Sequence, residues 1–277
     1  MSDSLSQADP TSNQLIFCLV PSTLGCGGFM ERNVSSLGIV LHSQRYGQLN
    51  RRLTLLSVDF GIIDVVSYGA RKSLKAVKAE VLTDGQFFLY YNPVKKEYTL
   101  KDLKVLADHE VLRSDLMQTY RALFFCEMMI KTNGGESGKA YALLSKALDL
   151  LSSLPDQANL VLIQFIHQMG ELLGLRPDYR ICPVCERPYG ANEIISFSSS
   201  LGSPCCKECA SLDSPLLLLP GMRRYLTVTA DLSFEDAVMV ELNPTTTVRI
   251  RTYMLRYAAL LCGGYLKTLS DGLLMTS

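Results

Sequence analysis

Two cysteine pairs constrain this chain more than anything else in it. Cys182-Pro183-Val184-Cys185 is answered by Cys206-Lys207-Glu208-Cys209, with twenty residues between the pairs. Thiolates at i and i+3 can bend round one ion in a tight turn, and two such pairs complete a tetrahedral shell. Four sulfur ligands with no open position suit a structural Zn2+, one per chain, rather than a catalytic ion. The separation fits the zinc pattern of two Cys-x-x-Cys pairs roughly 15–20 residues apart. The plainer reading is unpaired thiols near a loop, or a disulfide. Cys205 offers a competing C-x3-C arrangement, and spacing favours Cys206 as the ligand.

The chain has 277 residues, of which 48% are hydrophobic and 19% charged, so it can bury a substantial core. Its formal net charge is zero, so a nucleic-acid partner would have to be met by a local patch. Nine cysteines without a regular pairing pattern, and no signal peptide, point to a reducing compartment. The apolar run near Leu15–Val20 lacks a basic flank and is too short to span a bilayer. Residues 1–30 hold only Asp3 and Asp9 as charges and read as a leader outside the fold, with Met30 an alternative start.

From Leu37 the pattern becomes short strands. Leu37–His42, Leu53–Val58, Ile62–Tyr68, Glu80–Leu82, Phe87–Tyr91 and Tyr98–Leu100 are rich in β-branched and aromatic residues. Asp59-Phe60-Gly61 reads as a tight turn. Thr83-Asp84-Gly85-Gln86 reads as a hairpin, because Asp-Gly favours that turn. Five or so strands without intervening helices point to a small β-barrel, with the OB-fold as its leading member. The apolar period then lengthens. Leu112, Leu116, Tyr120 and Leu123 recur at helical spacing, as do Ala140 to Leu151 and Val161 to Leu173. The fold class is therefore α+β multidomain. An N-terminal barrel (31–104) precedes an all-α helical domain (105–277), which carries the four-cysteine zinc-binding motif as an insertion at about 181–210. That insertion is too short for its own core, so the metal is expected to supply its folding energy.

Charge is unevenly spread. Between Arg45 and Lys78 stand Arg45, Arg51, Arg52, Arg71, Lys72, Lys75 and Lys78, against Asp59 and Asp64: seven minus two leaves an excess of five. Residues 105–180 instead carry seven basic and nine acidic side chains. A basic barrel with Tyr46, Tyr68, Tyr90 and Tyr91 nearby suits a single strand, with phosphates on cations and bases on rings. Arg51, Arg52, Arg71, Lys72 and Lys75 are the leading candidates for phosphate contact, with Arg45 and Lys78 behind them. Core packing is the favoured role for Tyr46 and Tyr68. The competing reading makes the cations solvated loop charges.

The residues also carry a resemblance. Arg45-Tyr46-Gly47-Gln48, Leu53-Thr54-Leu55-Leu56-Ser57, Phe60-Gly61-Ile62-Ile63 and Tyr68-Gly69-Ala70-Arg71-Lys72-Ser73 resemble the N-terminal barrel of the RecO family of bacterial recombination mediators. Leu172-Leu173-Gly174-Leu175-Arg176-Pro177-Asp178, leading into Cys182, resembles that family's helix-to-zinc junction, and Cys206-Lys207-Glu208-Cys209-Ala210 its second knuckle. The match spans roughly residues 36–270; Gln48 stands where an acidic residue is usual, and 191–204 is Ser-rich. The resemblance implies an OB-fold, a helical domain and a zinc site. It implies binding of single- and double-stranded DNA, annealing of complementary strands, and help in replacing single-strand-binding protein with RecA. RecR and the acidic C-terminal tail of single-strand-binding protein are the implied partners, with no membrane and no small-molecule substrate. The implied location is cytoplasmic, at the nucleoid.

Other motifs fall away. Gly134-Gly135-Glu136-Ser137-Gly138-Lys139-Ala140 has Asn133 where a phosphate loop needs its first glycine and Ala140 where it needs Ser or Thr. His42, His109 and His167 are scattered, and His167 reads as a satisfied core residue. No catalytic grouping is visible, so the chain reads as a non-enzyme. An acidic tail ending in an apolar carboxylate would want Arg or Lys beside a hydrophobic groove. Arg121, Lys131, Arg176, Arg180, Arg223, Arg224, Arg249 and Arg251 are all possible on sequence alone. A zinc and OB-fold scaffold that binds protein and not DNA is the alternative function.

Overall fold

The computed structural model describes residues 32–69, 79–198, 200–210 and 216–276. Five strands close into a barrel: β1 (Asn33–Tyr46), β2 (Asn50–Ser57), β3 (Gly61–Ser67), β4 (Asp84–Asn92) and β5 (Glu97–Ala107), in the order β1-β2-β3-β5-β4. β3 and β5 run parallel, and the other neighbours are antiparallel. This is the strand order expected of an OB-fold. Alternation along β2 sorts its side chains. Leu53 and Leu55 turn inward to Val40, Val65, Phe87, Leu89 and Leu100. Leu56, with Ile39, Leu41 and Leu82, faces outward into the core of the helical region.

The Asp59-Phe60-Gly61 turn is present, with Gly61 at φ 68 and the Ser57 hydroxyl accepting the Phe60 N–H at 3.1 Å. The expected hairpin at Thr83–Gln86 is not formed, and Glu80–Leu82 is not a strand. Asp84 and Gly85 instead open β4. Two distant demands explain the difference. A Cβ on Gly85 would stand 2.6 Å from the Lys104 carbonyl oxygen, so the close approach of β4 to β5 requires glycine. Asp84 is buried and accepts hydrogen bonds from Tyr141 (2.9 Å) and Ser145 (2.8 Å). Its burial pushes the carboxyl above its ordinary range.

The helices follow: α1 (Glu110–Ser114), α2 (Leu116–Thr132), α3 (Ser137–Ser153), α4 (Ala158–Leu172), α5 (Pro220–Thr229), α6 (Phe234–Val238), α7 (Pro244–Leu261), α8 (Lys267–Ser270) and α9 (Leu273–Thr276). α4 lies against α3 and α7, and its side chains are buried almost all round. Gly174, at φ 68, ends that helix as its sequence requires. The Gly134-Gly135 segment is the loop between α2 and α3, where the Ser137 hydroxyl donates to the Val58 carbonyl of the barrel at 2.8 Å. His167 is buried on α4, but neither ring nitrogen meets a hydrogen-bond partner among the described residues. It is a core residue, though not a satisfied one. Among the described residues no helix is long and apolar enough to cross a membrane.

Candidate metal centre and nucleic-acid interface

The cysteine insertion is built from two tight turns and a small sheet of β6 (Ile195–Ser198), β7 (Ser203–Cys205) and β8 (Leu217–Leu218). In the first turn the Glu186 N–H donates to the Cys182 carbonyl at 2.9 Å, and Glu186 takes φ 58. In the second, the N–H groups of Cys209 and Ala210 both donate to the Cys206 carbonyl at 3.0 Å. The turns bring the Sγ atoms of Cys182, Cys185, Cys206 and Cys209 within 4.8 Å of one another. A tetrahedral ion with sulfur at about 2.3 Å would hold its ligands about 3.8 Å apart. Cys185 and Cys206 already stand at 3.7 Å. The four cysteines can hold a metal ion, and Cys206 belongs to the group. Cys205 is turned aside in β7, with its sulfur 3.7 Å from the Ser203 carbonyl oxygen. Burial raises the Cys182 thiol, but backbone N–H groups, led by that of Cys206, outweigh it and bring the thiol to about 6. A thiolate is the form a metal binds.

By its length the insertion should depend on metal for its folding energy. It does lack a core of its own, but its apolar residues join the helical core. Cys182, Tyr189, Ile195, Phe197, Cys205 and Cys206 are all buried there. Phe197 meets Tyr257 of α7 edge-on at 5.8 Å. Arg223 of α5, itself buried, donates to the Gly190 and Ala191 carbonyls and lies over the Tyr189 ring. One arginine also joins the two knuckles. Arg187 makes a bidentate pair with Glu193 (2.9 and 2.8 Å) and reaches Glu208, which lies between the second pair of cysteines. That pairing holds the Glu208 carboxyl at about 2. The spacing of Arg187 and Glu208 from the cysteines is the only sequence signal for this clasp.

The barrel cations are distributed differently. Arg71, Lys72, Lys75 and Lys78 lie outside the described residues. Arg45 is exposed and has no partner among the described residues. Arg51 and Arg52 point to opposite faces of β2. Arg51 has the parity of the inward-facing Leu53 and is paired with Glu80 at 3.1 Å. Arg52 is on the outer wall, 4.4 Å over the Tyr46 ring and 3.9 Å from Glu97. The Tyr68 hydroxyl donates to the same Glu97 at 3.4 Å. The sequence favours a core role for Tyr46 and Tyr68, yet they are 37% and 50% exposed. They lie near the ends of β1 and β3, where the wall meets solvent. One exposed ring therefore lies against Arg52, and a second exposed ring shares its carboxylate.

The helical cations also separate. Arg121 and Arg251 are buried, and both donate to Asn159. Arg176 is tied to Glu171 and the Ala230 carbonyl, and Arg180 to Asp178. Arg249 and Arg256 are exposed on α7, at the rim of a groove of about 460 Å³. Leu216, Leu217, Leu219, Met222 and Val248 form its apolar floor.

Comparison with known proteins agrees with this architecture. A family model described as "Recombination protein O N terminal" matches residues 30–108, and one described as "Recombination protein O C terminal" matches residues 113–270. The "DNA repair protein RecO" of Bacillus mycoides (strain KBAB4) is 26% identical over 237 residues, covering 83% of this chain and 93% of that protein. The protein of the same name from Bacillus pumilus (strain SAFR-032) is 28% identical over 242 residues, covering 85% and 91%. That from Moorella thermoacetica is 27% identical over 176 residues, covering 62% and 64%. The barrel match and the helical match follow one another along most of the sequence, and the chain belongs to the recombination protein O (RecO) family.

Proposed function

We propose that this chain is a mediator of recombination in DNA repair. It binds single- and double-stranded DNA, anneals complementary strands, and assists the loading of RecA onto DNA covered by single-strand-binding protein. Residues 31–104 grip the nucleic acid, and residues 105–277, with the insertion at 181–210, present partner surfaces. The carrying observation is the outer wall of the barrel, where Arg52 lies over the exposed Tyr46 ring and shares Glu97 with the exposed Tyr68. Bases stack on such rings whatever their identity, and guanidinium groups meet phosphates. Arg45 and Arg51, which share the other face of the β1–β2 ladder, are further phosphate contacts, and Arg71, Lys72, Lys75 and Lys78, outside the described residues, complete the set. Binding of this kind is insensitive to sequence, as a protein that acts at any gap requires.

Salt titration of oligonucleotide anisotropy tests the reading. Arg71→Ala with Lys72→Ala, or Arg45→Ala with Arg52→Ala, is expected to weaken binding. Each should also flatten the slope by about 0.7 for every phosphate of a single strand that is no longer neutralised. An unchanged slope in both double variants refutes the patch. A second reading has an observation in its favour: Arg51 and Arg52 each face a carboxylate, as they would in a barrel that binds only protein. Absence of oligonucleotide binding in dilute buffer would decide for that scaffold.

The four cysteines hold zinc as a brace, which supplies folding energy and no chemistry. The tail of single-strand-binding protein docks in the α7 groove, its acidic residues against Arg249 and Arg256 and its apolar end on Met222 and Val248. RecR is the second protein partner, and the site of action is the cytoplasm at the nucleoid.

A further inference from the structure

Among the described residues, β5 leaves the barrel with one side unpaired. β4 runs beside it from Asn92↔Glu97 to Asp84↔Ala107. β3 meets it only at Val65↔Tyr98 and Val66↔Thr99. Beyond Thr99, no strand among the described residues lies along the other edge of residues 101–107. Side chains stand in solvent on both faces here: Lys101, Asp102, Lys104, Val105 at 48% and Leu106 at 57% exposure. An open edge with exposed apolar residues is a template for another strand, and proteins restrict such edges with charges. The charges on this edge also select what can pair with it.

A second copy approaching antiparallel, about a two-fold axis normal to the sheet, must set one residue against its own copy. Directly opposed residues share a face, so registers centred between residues are excluded. Centring on Asp102 opposes two carboxylates, and centring on Lys104 opposes two ammonium groups. Centring on Val105 sets Lys104 against Leu106 and makes no charge pair. Centring on Leu103 sets Asp102 against Lys104 twice, once on each side of the axis. Opposite charges directly across a ladder stabilise it, and like charges oppose it. We propose that this chain self-associates through β5, antiparallel, with Leu103 on the two-fold axis.

In the single chain Asp102 Oδ1 accepts the Leu103 N–H at 2.9 Å. Pairing passes that N–H to the backbone of the second copy and frees the carboxylate for Lys104 across the ladder. The surface is small, so association is weak and concentration-dependent. It involves none of the cations or rings named as DNA contacts, so failure of either reading leaves the other standing.

Sedimentation equilibrium of the full chain, from low micromolar to a few hundred micromolar, tests the proposal. A monomer–dimer equilibrium is expected. Asp102→Lys should weaken it about ten-fold by removing both charge pairs, and Asp102→Lys combined with Lys104→Asp should restore it. Hydrogen exchange of the wild-type chain gives a readout without variants: the Leu103 and Val105 amides should gain protection as concentration rises. A chain monomeric throughout, or dimers indifferent to Asp102→Lys, would overturn the proposal. So would concentration-independent exchange at Leu103, which would leave this edge to a strand of some other protein.

Discussion

The cysteine insertion and the cation-bearing wall of the barrel both show themselves as short sequence spacings, and they differ in how much those spacings decide. At the insertion, i and i+3 thiols within one tight turn have little choice of position, and their sulfurs gather within 4.8 Å. On β2, adjacent arginines are sent to opposite faces, and each then meets a carboxylate from elsewhere: Arg51 meets Glu80, and Arg52 meets Glu97. Local geometry fixes the first region, and long-range partners fix the second.

The strongest way to break this comparison is to remove the metal. Cys182→Ser, or chelation, should take metal content from about one ion per chain to none and open the two knuckles, about 182–187 and 206–210, to protease. The effect is several kcal/mol, because a structural ion contributes folding energy directly. Phe197 and Tyr189 remain packed on the helices, so the rest of the chain should still unfold cooperatively in urea. If the helices melt with the knuckle, the two are not separable.

The next effect is acid sensitivity. Burial holds the His167 imidazole neutral down to about 3, whereas the unfolded chain takes up that proton near pH 6.5. The contribution is therefore complete above about pH 6.5 and is lost as pH falls toward 3, by a few kcal/mol. His167→Leu should flatten the dependence. The difference between the two chains, measured by urea unfolding from pH 7 to pH 4, separates this term from loss of metal. Equal pH dependence in both would show that the histidine finds a partner.

Asp84→Ala leaves two donors, the Tyr141 and Ser145 hydroxyls, without their acceptor and should cost about 1–3 kcal/mol. The smallest effect is expected at the surface: Glu97→Gln should change stability by less than about 1 kcal/mol. By releasing Arg52 and Tyr68 it should tighten oligonucleotide binding, as read by anisotropy. Weaker binding would mean that Glu97 orients Arg52 for the strand.

Much of the fold is legible in the sequence because the signals are local. Runs such as Leu53–Val58 name strands, Gly174 with Pro177 ends a helix, and the two Cys-x-x-Cys pairs name their own centre. Asp84-Gly85 misleads for the opposite reason. Its partners are the Lys104 carbonyl and two hydroxyls on α3, and no window around residue 84 contains them. Tyr46 and Tyr68 mislead because aromatic content does not tell the wall of a barrel from its interior. Counting charge gives the sign of the region and cannot say which cations are already engaged.

The clasp of Arg187 on Glu193 and Glu208 has a consequence for the order of events during folding. It bridges the two thiol-bearing turns with hydrogen-bonded ion pairs that need no ion, so the turns can face each other before one arrives. A metal ion would then meet ligands already gathered, and its uptake should be fast.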